Sequence, residues 1–291
     1  MPFLDLCLLI EELGRACVPS PFIGSVAGCS HLLARGNTEA LVPLLRQLSG
    51  GDSFVAPALS GALDASGTKH LPESHSERDG YAVTGACHFV PYAASAQYLL
   101  CATRLDPEDG IALLLAPVAA TGVTVTPLNT TGDERLYHVD FASVHLPTEA
   151  LVCAGSAAGA VLEQALQRMD VARCCDIAGA LSWVLDNTVA YAKDRKQFGQ
   201  PIGSFQVLQH YCADMYIMLE GLRVAAYHAA WRLSQGLPAT RDVAIACAHA
   251  HRVTASFLSL AHQIHGAMGV TREHDLHLYT TRAVPPGRAP L

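Results

Sequence analysis

Asp194-Arg195-Lys196-Gln197-Phe198-Gly199-Gln200-Pro201-Ile202-Gly203-Ser204-Phe205-Gln206 is a basic turn, punctuated by Gly and Pro, between two long helical patterns. Residues 155–194 before it keep an apolar helical period without a proline, and 204–235 after it do the same until Gly236-Leu237-Pro238. A third such stretch covers 240–268 and a fourth 271–283. Long helices with short connections predict an antiparallel bundle. Residues 151–291 are therefore expected to form a four-helix domain.

Upstream the pattern differs. Residues 4–17 set Leu4, Leu8, Ile10 and Leu13 against Glu11, Glu12 and Arg15, which reads as an amphipathic helix stopped by Pro19 and Pro21. A second helical stretch, 23–48, ends at Gly50-Gly51-Asp52. These two make up an N-terminal helical segment, 1–51. From Phe54 onward short apolar runs alternate with turn signals. They are Tyr81–Thr84 and Cys87–Val90, Tyr98–Thr103, Ile111–Ala116 after the Pro107-Glu108-Asp109-Gly110 turn, Val123–Pro127 and Tyr137–Phe141. This spacing predicts an antiparallel β domain over 52–150, with the polar Ser66–Arg78 as a loop. The chain is thus read as α+β in the order helices, β domain, helical bundle. It shows no internal repeats, and its tail Pro285–Leu291 is expected to be unstructured.

The 291 residues are 51% hydrophobic and 15% charged, which supplies well-filled cores and argues against disorder. Nineteen Lys and Arg against 26 Asp and Glu give a formal charge of −7, a poor match for nucleic acid. Any anion site must be built locally. The ten Cys include no CxxC pair and no zinc spacing, so no metal is expected. Cys174 and Cys175 are adjacent, and on a helix they diverge by about 100°. The thiols read as buried small side chains in a reducing cytoplasm. Met1–Ile10 is apolar but carries Asp5 and lacks a basic leader, and no apolar run is long and uncharged enough to predict a membrane span.

Two strings carry a family resemblance. Arg195–Gln206 resembles the "RxxFGxPIGxFQ" segment of acyl-CoA dehydrogenases, and Gln263-Ile264-His265-Gly266-Ala267-Met268-Gly269-Val270-Thr271-Arg272-Glu273-His274 resembles their "QxHGGxGxTxEH" segment. The resemblance implies that family's fold: N-terminal helices, a middle antiparallel β-barrel domain and a C-terminal four-helix bundle. Relative to the family the chain looks shortened at both ends. The cofactor implied is FAD and the substrate an acyl-CoA thioester. An electron-transfer flavoprotein is the implied electron acceptor, and a homo- or hetero-oligomer, dimer or tetramer, the implied assembly. Thr271–Tyr279 resembles a subgroup that degrades steroid and other bulky acyl-CoA compounds in bacteria, in which two related chains form a mixed oligomer.

Carried over residue by residue, Arg195 is expected to grip a phosphate of FAD in a neighbouring subunit, a task suited to the fixed donor fork of a guanidinium. Its bland alternative is a favourable charge at a helix C-terminus. Phe198 and Gln206 fall at positions that contact the same cofactor. Gln263, His265, Gly266 and Ala267 form the second contact segment, with Ala267 where the family has a second Gly, and His265 reads as a structural element of it. In the β domain Ser60, in Leu59-Ser60-Gly61, and the strand Phe89-Val90-Pro91 resemble the flavin-contacting segments. Ordinary strand core is the alternative for the latter. Pro91 lacks the N–H and hydroxyl that a Thr would offer.

The reaction implied by the family removes an α-proton with a carboxylate positioned within hydrogen-bond reach. One family position for that Glu is a "YEG" string beyond Arg282, and no such string occurs before Leu291. The other, counted back from Arg195, falls on Met169. Asp170 and Asp176 are the nearby substitutes, each with the alternative of a structural helix carboxylate, and Glu273 is expected in a structural ion pair. Three readings remain: an FAD-dependent acyl-CoA dehydrogenase or a subunit of one, a non-catalytic partner completing another chain's FAD site, and a defunct chain that folds poorly.

Overall fold

A computed structural model describes residues 2–36, 38–59, 70–106, 110–131 and 134–283. Ser60, Gly61 and the tail Pro285–Leu291 lie outside the described residues. Packing divides the chain into two compact units, Pro21–Met169 and Met1–Ser20 with Asp170–Leu291.

In the first unit the expected second helix comes in pieces. A π-helical turn, Ile23–Cys29, runs into α2 (Ser30–Leu33), and α3 (Thr38–Gly50) follows. The strands are β1 (Val55–Ala58), β2 (Glu73–Glu77), β3 (Gly80–Pro91), β4 (Tyr98–Asp106), β5 (Gly110–Pro117), β6 (Val123–Pro127), β7 (Leu136–Pro147) and β8 (Leu151–Ala154). Their order is β6-β7-β3-β2-β4-β5-β8, with β1 added beside β4. The sheet is mixed rather than purely antiparallel, because β1 and β2 both run parallel to β4. The chain reverses at β2–β3 and again at β3–β4, which returns β4 to the direction of β2.

The polar stretch expected as a loop contains β2. Glu-Ser-His-Ser-Glu carries no apolar signal, yet Ser74 is fully buried and its hydroxyl lies 2.8 Å from that of Thr103. A buried hydroxyl satisfied in this way can replace the usual apolar residue. The sheet buries both faces. Leu99, Leu114, Val83, Cys87 and Phe141 fill one core, while the alternate residues Leu100 and Leu113 pack with Leu32, Leu33, Leu162 and Leu166 in the other.

The second unit holds α1 (Phe3–Arg15), the later part of α4 (Ser156–Asp194), α5 (Gln206–Ser234), α6 (Thr240–His265) and α7 (Leu276–Arg282). Gly236 ends α5 at φ 66°, with Leu237 N–H donating to Arg232 O and Gly236 N–H to Leu233 O, a Schellman closure before Pro238. Arg232 then clamps the turn into α6 through Pro238 O and Asp242. α1 docks through Glu11, which is buried and accepts from Arg223 Nε at 2.8 Å and from the Tyr227 hydroxyl. α6 with the turn after it is long and apolar enough to cross a bilayer. Its row Val243, Ala246, Ala250, Phe257, Ala261 and Ile264 is buried while Arg241, His251 and Arg252 are exposed opposite, the pattern of a core helix.

Candidate functional site

The hairpin after α4 is built from β9 (Lys196–Gln197) and β10 (Gln200–Pro201), paired Gln197↔Gln200 and Lys196↔Pro201. Its two-residue turn puts Phe198 at φ 55° and Gly199 at φ 82°, the left-handed pair that tight hairpins require. Phe198 is held out at 91% exposure, edge-on to Phe205 at 6.1 Å. Ile202 N–H donates to Arg195 O at 2.8 Å and closes the hairpin base. The Arg195 side chain is exposed and has no hydrogen-bond or ion-pair partner among the described residues. Gln206 is exposed at the start of α5, and Gln263, Gly266 and Ala267 are exposed at the end of α6.

Tyr191 brings the two strings together. Its carbonyl accepts from Arg195 N–H at 2.8 Å, its hydroxyl approaches His265 O at 3.4 Å, and its ring stacks on His265 at 4.4 Å. His265 itself is buried. Beside this end a groove of about 540 Å³ lies between α4 and α5, lined by Leu185, Asp186, Val189, Lys193, Cys212 and Tyr216.

In the other unit β3 bulges between Cys87 and Val90, opposite Val139 and Tyr137 of β7. The bulge presents Phe89 at φ 55° and 68% exposure. Pro91 is half-buried, and Val90, only 1% exposed, belongs to the sheet core. A constellation beside Phe89 escaped the sequence reading. His138 Nδ1 lies 2.9 Å from His88 Nδ1, and its Nε2 lies 3.0 Å from Asp140 Oδ1. Only the β3–β7 register brings these residues together.

Of the carboxylates, Asp176 is 2% exposed and paired with Arg282 at 2.8 Å and Arg173 at 3.5 Å. Asp170 is buried too. Glu273 is exposed and makes no ion pair among the described residues, contrary to expectation. The half-buried Met169 sets its thioether against Gly28. None of the ten Cys forms a disulfide, and burial pushes the Cys29 and Cys101 thiols well up, leaving them poor nucleophiles.

A mixed sheet with helical cover, a long-helix bundle and a basic hairpin define an α+β architecture. Residues 158–284 match the family description "Acyl-CoA dehydrogenase, C-terminal domain". Acyl-CoA dehydrogenase IpdE2 of Mycolicibacterium smegmatis is 30% identical over 96% of this chain and 72% of its own length. Acyl-CoA dehydrogenase FadE34 of Mycobacterium tuberculosis is 32% identical over 96% of this chain, which spans only 35% of that relative. The ChsE4–ChsE5 complex from Mycobacterium tuberculosis superposes with a TM-score of 0.87 at 28% identity, over 97% of this chain and 74% of the solved one. The chain belongs to the acyl-CoA dehydrogenase family.

Proposed function

We propose that this chain is a subunit of an FAD-dependent acyl-CoA dehydrogenase and that it completes the FAD site of a neighbouring subunit. The observation that carries this reading is the unpaired Arg195 guanidinium at the base of a rigid hairpin, tied through Tyr191 to the Gln263–Ala267 corner. A free guanidinium on the surface is ready for a diphosphate, and the amides of Gln206 and Gln263 both donate and accept. The residues present therefore fit the nucleotide part of FAD. When bound, FAD accepts the hydride taken from the β-carbon of the acyl thioester. The fit is poorer in the sheet-bearing unit, where Val90 is buried and Pro91 has no N–H. Phe89 offers an aromatic face there.

The partner role is favoured over independent catalysis. Met169 carries no proton-accepting group, and the two arginines on Asp176 occupy its oxygens. The base then comes from another chain. A bulky or steroid-type acyl-CoA and an electron-transfer flavoprotein are the substrate and electron acceptor this reading adopts, and a mixed oligomer is its assembly. That FadE34 and IpdE2 are acyl-CoA dehydrogenases, and that ChsE4 and ChsE5 form a complex, supports it.

The test is a visible spectrum of the purified chain, alone and co-expressed with a second acyl-CoA dehydrogenase chain. Flavin is expected only in the co-purified assembly, with Arg195→Gln reducing bound flavin about tenfold or more. Flavin bound by the isolated chain and bleached by acyl-CoA would replace the partner role with an autonomous enzyme. Arg195→Gln binding flavin as well as the parent would remove the site.

A further inference from the structure

His265 closes α6 with its ring 2% exposed. Its Nε2 lies 3.2 Å from Thr188 Oγ1, and that hydroxyl already donates to Val184 O at 2.7 Å. Thr188 must therefore accept, which assigns the proton to Nε2 and leaves Nδ1 a bare lone pair. That Nδ1 is buried with no hydrogen-bond partner among the described residues. One turn earlier His262 repeats the arrangement. Its Nε2 lies 2.8 Å from Thr280 Oγ1, which donates to Leu276 O. His274 meets His265 edge-on at 4.5 Å and accepts Leu276 N–H on its own Nδ1, while His277 donates to His274 O.

The groups facing His265 are Thr188 and Tyr191 from α4, His262 from α6, and His274 from the corner before α7. Asp275 and Glu273 of that corner are exposed, and no carboxylate among the described residues pairs with His265. A proton on Nδ1 would thus be a buried charge with no acceptor, beside two more imidazoles. Gly269 packs against this cluster so closely that a methyl there would come within 2.9 Å of His265 Cβ. Gly266, directly after His265, sits at φ 58° and ψ −140°, a conformation open to glycine alone.

We propose that His262 and His265, with the His274 ring packed against them, form an acid-sensitive clasp on the corner that presents Gln263 and Gly266 to the flavin nucleotide: the neutral imidazoles of His262 and His265 hold it shut, and proton uptake opens it and releases the ligand. This rests on reading the corner as part of the FAD site. Burial, then His274 and His262, lowers His265 to about 4. An opened corner restores it to about 6.5, so opening becomes more favourable as pH falls through that window.

The decisive measurement is hydrogen–deuterium exchange of the 263–270 backbone in the unliganded chain, corrected for intrinsic rates. From pH 7.5 to 5.5 the opening constant is expected to rise about tenfold or more in the parent and several-fold less in His265→Gln, which keeps the Nε2-type donor but takes up no proton and leaves only the part due to His262. Equal pH dependence in both, or no protection even at pH 7.5, would overturn the clasp. Should His265→Gln fail to fold, the imidazole resonances of the parent decide: a His265 that titrates near 6.5 overturns it. In the flavin-loaded assembly, retention at pH 5.5 relative to pH 7.5 should fall several-fold. Unchanged retention with an opened corner would break the link to the ligand. Absence of flavin at pH 7.5 under every condition would instead sink the FAD reading, while the exchange result would still judge the clasp.

Discussion

The Met169 thioether lies so close to the Gly28 backbone that a methyl on Gly28 would come within 2.6 Å of Sδ. A sulfur accommodated there fills space and takes no proton. The position is the one the family resemblance assigns to a base, so Met169→Glu is the most informative exchange in the chain. In a flavin-loaded assembly whose partner base is replaced by Gln, it is expected to raise acyl-CoA-dependent flavin bleaching by about a hundredfold, the usual contribution of a positioned general base. Met169→Gln, of similar shape and without a proton-accepting carboxylate, should show no gain. Stopped-flow bleaching at equal flavin content compares the two, and equal rates would remove position 169 from the catalytic geometry. Asp176 needs no such rescue. Its two arginine partners and 2% exposure make it a joint between α4 and α7.

α4 carries two glycines with opposite meanings. A methyl on Gly179 would overlap the Glu11 carbonyl oxygen, and one on Gly14 of α1 would overlap the Asp176 carbonyl, so the α1–α4 contact is backbone against backbone. A methyl on Gly159 meets nothing within 4 Å. Gly179→Ala should therefore cost about 1–3 kcal/mol by prising α1 from the bundle. Gly159→Ala should gain about 0.5–1 kcal/mol from helix propensity alone. Thermal melts of both variants check the pair, and two shifts of the same sign would contradict this packing. At this scale the long helices were legible, since α4, α5 and α6 each run without a proline and α5 and α6 stop at Gly236 and Gly266. β2 was not, because the ladder that holds Glu73–Glu77 depends on β3 and β4 rather than on its own side chains. The hairpin at Phe198 was legible as a turn from Gly199 and Pro201. The Tyr191–His265 stack that joins the two strings was not, because residues 74 positions apart meet only through tertiary packing.

Each compact unit of the molecule holds a histidine kept neutral by its surroundings. In Pro21–Met169, burial followed by Arg168 and Arg35 lowers His31 to about 4, and its buried Nε2 has no partner among the described residues. In the bundle unit burial lowers His265 to about 4, and His262 in the same direction. An unfolded chain titrates all three near 6.5, so between that value and about 4 it binds more protons than the folded one. Stability is then fully present above pH 6.5 and declines as pH falls towards 4. His265 alone should lose about 1.3 kcal/mol between pH 7.5 and 5.5. The carboxylates ordinarily titrate below this range, so it isolates the histidines. Denaturant titrations at pH 7.5, 6.5 and 5.5 should show the decline in the parent. His31→Gln and His265→Gln should each flatten part of it, and the double variant most of it. A double variant as acid-sensitive as the parent would mean that protons enter elsewhere and that neither imidazole is the acid-labile group of its unit.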